Sequence, residues 1–274
     1  MKKWILHKTI IYVILLLGAV FILLPFLWML STSLKPSNEV LIMPPKWIPS
    51  KLVWENYKIA FKSAPFKRYF LNSVFVSAMV TVGELITTIL AAFAFTRIKF
   101  KGRELLFSVL ISTMMVPSEV LIIPNFVTLS KLGWIDTYKA LIIPWCASVY
   151  SIFLLRQYFF GIPEQLYYSA KIDGCSDFKF LWMIMVPLAK PAIITLTILK
   201  IINSWNSFMW PLIVTNSEHM RTLPVALSAF SSEAGTDFNV LMAAATMIII
   251  PVFIIYLILQ KHIVAGVSRT GIKG

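Results

Sequence analysis

Acidic residues are scarce in this chain, and so are the side chains that carry metal and redox chemistry. Its 274 residues include 12 Asp and Glu, 3 His and 2 Cys, against 25 Lys and Arg. Cys146 falls in an apolar run and Cys175 in a polar loop, on opposite sides of a membrane leaflet, so no disulfide is expected and metal-ligand spacing is absent. There is no G-x-x-x-x-G-K-[ST] run to cradle nucleotide phosphates, so the chain does not itself hydrolyse ATP by the P-loop route. It also lacks H-E-x-x-H, G-x-S-x-G and paired histidines, which leaves no catalytic constellation and no metal site. His219 has no second histidine or carboxylate pair near it in sequence and reads as a solvated loop residue. Energy for any work done here has to come from a partner or an ion gradient.

What the chain has in quantity is apolar length. It is 58% hydrophobic and 14% charged, which excludes an ordinary soluble globule and marks an integral membrane protein. The net charge of +13 does not point to nucleic acid, because Lys and Arg are spread between apolar runs as they are at membrane flanks. Six runs are predicted to cross the bilayer, at about residues 10–30, 70–96, 105–127, 140–160, 191–214 and 240–263, each close to the ~20 residues that span ~30 Å of hydrocarbon. The first follows Lys2, Lys3 and Lys8 with no small-x-small site after it, and reads as a retained span. The third is broken by Pro117 and Pro124. Residues 35–68 interleave prolines with Trp47, Trp54, Tyr57 and Phe61, which excludes a span and suits a segment at the membrane interface; an ordered loop accounts for it equally well. Lys and Arg beside the termini, after residue 96 and around residues 156–190 outnumber those on the opposite side, so both ends and the loop 161–190 are expected to be cytoplasmic.

That loop, with the residue after it, reads GIPEQLYYSAKIDGCSDFKFLWMIMVPLAKP from Gly161 to Pro191. Pro163 suits a first helical position and Gly174 a left-handed cap, giving a helix of about three turns. Ser176 can cap a second helix that carries Phe178–Val186 and stops at Pro187. A short helix pinned between two spans is a handle for something outside the membrane.

The run "SAKIDG", nine residues and "IMVP" resemble the EAA loop of binding-protein-dependent ATP-binding cassette importers, and further runs resemble the maltose-type, carbohydrate-importing branch. These are "ENYKIAF" from Glu55, "YFLNS" from Tyr69, "SWNSFMWPLIV" from Ser204, "RTLPVALSAF" from Arg221 and "GVSRTGIKG" from Gly266. The resemblance implies an all-α polytopic fold of the type I importer kind, a single transmembrane domain over residues 1–274 with six spans and a cytoplasmic coupling helix. It implies a permease in the cytoplasmic membrane of a bacterium or archaeon that is not an enzyme. An ATPase dimer, a sister permease different from this chain and an extracytoplasmic solute-binding protein are the implied partners. No cofactor is expected in this chain, ATP and Mg belonging to the ATPase. By the same resemblance, contact with the ATPase falls to Glu164, Tyr168, Ser169, Ala170, Asp173, Gly174, Ile184 and Pro187, with Arg269, Gly271 and Lys273 of the tail. Contact with the binding protein falls to Arg221, Thr222, Leu223 and Pro224. One position departs from the family pattern: Tyr168 stands where Glu is usual, so an acidic contact there is absent or comes from Glu164 or Asp173.

Inside the membrane, Glu84 and Glu119 are the candidate path residues that carry charge. Glu84 lies midway along the second span, where an ionised carboxylate needs a partner; Lys200 is a candidate, and a protonated structural glutamate is the alternative. Glu119 beside Pro117 sits in a broken helix of the kind that lines a cavity. In the fifth span Lys200, Asn203, Ser207 and Trp210 recur at steps of three and four, with Asn206 at the border of their face. Such a stripe suits a polyhydroxylated solute, whose hydroxyls want amides and whose ring faces want an aromatic; helix-to-helix hydrogen bonding is the structural alternative. The solute read from this is a sugar or oligosaccharide delivered by a binding protein, with a glycerol phosphodiester as the alternative. A secondary transporter using Glu84 or Glu119 as an ion site is the rival class, and the inverted repeat that would support it is not evident.

Overall fold

The computed structural model describes residues 2–232 and 235–268, with side chains described for 7–228, 230 and 237–258. The described chain is helical apart from a two-stranded hairpin, β1 (Ser231–Ser232) and β2 (Gly235–Thr236). Four helical stretches are long and apolar enough to cross a membrane: His7–Ser33, Phe66–Arg97, Tyr138–Phe160 and Phe238–Ile258. Two more candidates are bent pairs, Arg103–Met115 with Ser118–Lys131 at 91° and Asp177–Leu188 with Lys190–Trp205 at 80°.

The chain divides into two compact units. The first comprises the residues up to Phe66 with Val225–Pro251. In it α1 (Lys2–Ser33) ends in a proline-rich strap that leads to α2 (Glu55–Lys62). The strap is tied down by Asn56, whose buried amide donates to the carbonyls of Ser33 and Lys35 at 2.9 Å each, while its own oxygen accepts from Asn239 at 3.1 Å. These bonds satisfy carbonyls that the end of α1 leaves without helical partners. Lys35 is fully buried, its ammonium 3.7 Å from the centre of the Trp28 ring. Glu39 accepts from Lys46 at 2.9 Å and from the Ser50 amide at 3.1 Å. Asn239 sits at the start of α13 (Phe238–Ser268).

The second unit, Lys67–Pro224 with the segment after Pro251, holds α3 (Phe66–Arg97), α4 (Arg103–Ser112), α5 (Ile122–Lys131), α6 (Tyr138–Ile142) and α7 (Val149–Phe160). It continues through α8 (Glu164–Ile172), α9 (Asp177–Phe180), α10 (Val186–Leu188), α11 (Lys190–Trp205) and α12 (Met209–Val214). Its largest core cluster joins Ile89, Ala92 and Phe93 of α3 to Leu155 and Phe159 of α7, Ala170 of α8, Phe180 of α9, Leu181, Met185 and Leu196 of α11. A second cluster packs Val76 and Val80 of α3 against Leu129, Leu141, Trp210 and Val214. Gly83 lets α3 approach the segment after α6: a Cβ there would stand 2.5 Å from Cys146 Sγ.

Three expectations about breaks are corrected. Pro124 does not break the third candidate span; it is the third residue of α5, where its missing N–H would be orphaned anyway, and the 91° bend follows Met115 beside Pro117. The helix after Ser176 does not stop at Pro187 but runs to Leu188. Leu181–Met185 form a π turn in which the Val186 amide reaches back to the Leu181 carbonyl, so the wider turn precedes the proline. The run 191–214 is not one helix, because α11 ends at Trp205 with Asn206 as its cap and α12 starts afresh at Met209.

Candidate functional site

A cavity of about 440 Å³ opens within the second unit. Ser73, Ser77 and Val80 of α3 form one wall, Ser118, Leu141, Trp145 and Ser148 another, and Lys200, Asn203, Ser204, Ser207, Trp210 and Thr222 the third. Helical spacing is not what brings Ser207 and Trp210 to the same space as Lys200 and Asn203, since the helix has ended between them. The turn at residues 206–208 returns them to it. Asn206 is exposed and outside the lining. Trp210 is buried, its ring nitrogen donating to the Ala140 carbonyl at 3.0 Å and its ring meeting Trp145 edge to face at 5.8 Å.

Glu84 does not face this cavity. It is buried behind the wall, accepting from the Ser151 hydroxyl at 2.6 Å, with Lys200 Nζ 2.5 Å from its other oxygen as a close charge pair rather than an aligned hydrogen bond. Glu119 is exposed and likewise outside the lining, its carboxylate accepting from the Ser118 hydroxyl at 3.2 Å. The wall is therefore hydroxylic and aromatic rather than acidic. Sequence reading missed Ser73, Ser77, Ser148 and Thr222 as wall residues, because isolated serines in apolar helices give no signal of where they meet.

The segment 215–224 is held to α3 by Arg68, whose guanidinium donates to the His219 carbonyl at 3.2 Å, and by Asn72 and Ser73. Asn72, 2% exposed, donates to the carbonyls of His219 and Arg221 at 2.8 Å each and accepts from the Tyr138 hydroxyl at 2.8 Å. Next to it, Ser73 Oγ accepts from the Leu223 amide at 2.7 Å. Thr222, Leu223 and Pro224, expected at a contact with a binding protein, are buried in this chain and Arg221 is half-buried; Asn216, Glu218 and His219 are the exposed residues there. Asp136, in a left-handed conformation at φ 60°, anchors the same segment. Burial pushes its carboxyl up, but bonds from the Ser217 hydroxyl and amide and the Asn216 amide, with the nearby His219, hold it below the usual range.

At the other end of the unit, α8 shows two faces. Ala170 is buried and Tyr167 half-buried against the main cluster, with the Tyr167 hydroxyl 2.6 Å from Asp177. Leu166, Tyr168, Ser169 and Asp173 are exposed, and Ile172 is 87% exposed. Pro163 and Asp173 flank the helix, and Gly174 takes φ 74°, the left-handed cap that glycine adopts without strain. Glu164 stands 3.8 Å from the buried Arg97, whose guanidinium donates to the carbonyls of Phe159 and Ile162 and so ties α3 to the start of the loop. Lys99 Nζ lies 5.9 Å from the centre of the Tyr168 ring. Ile184 is half-buried and Pro187 exposed, while Arg269, Gly271 and Lys273 lie outside the described residues. Among the described residues no group of His, Cys, Asp and Glu could hold a metal ion.

Comparison with known proteins matches residues 83–269 to the binding-protein-dependent transport system inner membrane component. The arabinooligosaccharides transport system permease protein AraQ of Bacillus subtilis is 37% identical over 255 residues, covering 92% of this chain and 91% of its own. The sn-glycerol-3-phosphate transport system permease protein UgpE of Yersinia pestis is 31% identical over 263 residues, covering 93% and 94%. A crystal structure of a bacterial ABC transporter involved in the import of the acidic polysaccharide alginate superposes with a TM-score of 0.82 at 26% identity, covering 93% of this chain and 96% of the other. With several apolar helices of spanning length and a match over more than half its residues, the chain belongs to the inner membrane component family of binding-protein-dependent transport systems and is a multi-pass membrane permease.

Proposed function

We propose that this chain is the permease subunit of an ATP-driven importer, forming part of the path for a sugar or oligosaccharide handed over by an extracytoplasmic binding protein. The observation that carries the reading is α8: a capped helix whose inner face is packed into the core shared by α3, α7 and α11, and whose outer face leaves Leu166, Tyr168 and Ile172 uncovered. Tyr168 and Ile172 stand one helical turn apart, and an exposed apolar pair on a short polar loop suits a docking partner. That partner is an ATPase subunit carrying ATP and Mg, for which α8 is the coupling helix; its closure would shift the attached spans as rigid bodies. In this reading each bent pair is one span, giving six, with both termini and α8 on the cytoplasmic side and a different sister permease completing the path. The cavity lined by Ser73, Ser77, Asn203, Ser207 and Trp210 is this chain's share of it, and the exposed residues Asn216, Glu218 and His219 face the binding protein.

Relatedness to AraQ supports a carbohydrate, and relatedness to UgpE keeps a sugar-like phosphate ester as the second reading. An ion-coupled transporter fares worse, since Glu84 is committed to Lys200 and Ser151, and Glu119 is outside the cavity. The test is a mild-detergent pull-down from the native membrane, followed by mass spectrometry and an ATPase assay with and without the recovered binding protein. Recovery of a P-loop ATPase whose activity rises with liganded binding protein is expected; the chain alone, with no ATPase activity, would sink the reading.

A further inference from the structure

We infer that the solute passing through this cavity is uncharged, because the cavity wall carries no uncompensated charge; this rests on the reading of the cavity as part of the solute path. Among the described residues Lys200 is the one ionisable side chain lining it. Its ammonium is already taken by Glu84, 2.5 Å away, and Glu84 is fixed from the other side by the Ser151 hydroxyl at 2.6 Å. Both partners are largely buried, with side chains 17% and 6% exposed, so solvent does little to screen them.

An anionic solute entering a low-dielectric span needs a cation to replace its water. Here the available cation would have to be pulled from Glu84, leaving that carboxylate buried, unpaired and beside a second negative charge. The wall is instead supplied with dipoles. Ser148, Ser204, Ser207 and Asn203, none of them fully buried, line the cavity together with the edge-to-face indoles Trp145 and Trp210. Their hydroxyls and amide are matched by the hydroxyls of a neutral sugar, and the indoles by its C–H surfaces. The Glu84–Lys200 pair is thus a specificity device that cancels the one charge the path would otherwise show.

The charge of the wall can be read without knowing the solute. In the detergent-solubilised whole complex, with Cys146→Ala and Cys175→Ser removing the native thiols, Ser207→Cys places a reporter in the cavity. It is reacted with anionic sulfonatoethyl and cationic trimethylammonioethyl methanethiosulfonate, and the rate ratio is normalised to a free thiol. A ratio within about threefold of unity is expected, Glu84→Gln raises it about tenfold toward the anion, and Glu84→Gln with Lys200→Met returns it to unity. A ratio already favouring the anion by about tenfold with the native pair present overturns the inference, and so does failure of the introduced thiol to react with either reagent. Should Glu84→Gln fail to assemble, the ratio with the native pair still decides.

A second arm measures ATP-driven uptake into proteoliposomes, with arabinotriose and maltotriose against digalacturonate and glycerol 3-phosphate. Uptake confined to neutral solutes supports the inference, and uptake of an anion at a comparable rate overturns it while leaving the importer reading intact. No ATP-driven uptake of any solute, with a neutral thiol ratio, defeats the importer reading and leaves the charge balance of the wall standing.

Discussion

Replacing Asn72 by alanine should release the segment 215–224 from α3 without unfolding the helix. The side chain makes three hydrogen bonds at 2.8 Å, two into main-chain carbonyls and one from Tyr138, at a position 2% exposed. At a net ~1 kcal/mol per buried hydrogen bond, loss of the two bonds that reach the segment lowers the free energy of local opening by about 2 kcal/mol. Each 1.4 kcal/mol being tenfold, amides protected by that closed state should exchange about thirty times faster. The assay is hydrogen exchange read by mass spectrometry on the peptide covering residues 216–224, where the Leu223 amide is bonded to Ser73, Met220 to Ser217 and Arg221 to Glu218. Tyr138→Phe removes the one Asn72 bond that does not reach the segment and should leave exchange of the same peptide within about threefold of the native rate. If Asn72→Ala leaves exchange there within about threefold of the native rate, the segment is held by something else and the reasoning from buried amides fails.

Other consequences follow from single contacts. Gly83→Ala drives a methyl against Cys146 and should destabilise by about 1–3 kcal/mol; Cys146→Gly should restore most of the lost melting temperature, and no rescue would mean the approach is not the cause. Glu39 is depressed to about 2 from an ordinary 4.5 by the Ser50 hydroxyl first, then by Lys46 and the Ser50 amide. A depressed carboxyl stabilises above its unfolded value and loses that effect as pH falls through its folded one. Pepsin should therefore begin to cut within residues 40–52 as pH drops from about 4.5 towards 2, and Glu39→Gln should be cut already at the upper end of that window. Ile172→Asp, on the uncovered face of α8, should reduce ATPase recovery in the pull-down about tenfold with the melting temperature unchanged, since burying a charge in an interface is costly and exposing it is not.

The four long apolar helices were legible because twenty-residue apolar runs are a coarse signal, and α8 was legible because Pro163 and Gly174 punctuate it at both ends. What the sequence hid was pairing at a distance. Lys200 was expected as the partner of Glu84 and pairs with it across 116 positions, but nothing in the stretch around Glu84 announces Ser151. Family resemblance assigned Arg221–Pro224 to contact with a binding protein, and nothing nearby in sequence announces that Asn72 and Ser73, about 150 positions earlier, take up their backbone. The end of α11 carries neither glycine nor proline; Ser204, Asn206 and Ser207 offer the backbone side-chain alternatives to a helical ladder, and that competition is weak evidence until the structure is in hand. Proline was over-read in the other direction, since Pro124 and Pro187 occupy places where no amide is needed or where a π turn comes first.

The way α8 is seated bears on mechanics as well as on docking. Ala170 shares one close-packed cluster with side chains from α3, α7 and α11, and Arg97 stitches the start of the loop to the carbonyls at the end of α7. Packed interiors are nearly incompressible. A force applied to the outer surface of α8 therefore has no slack to take up and arrives undiminished at three long helices: whatever grips this helix holds a lever, not a flap. Play in that joint, such as the void left by a smaller residue at Met185, would let the grip move while the helices stayed still.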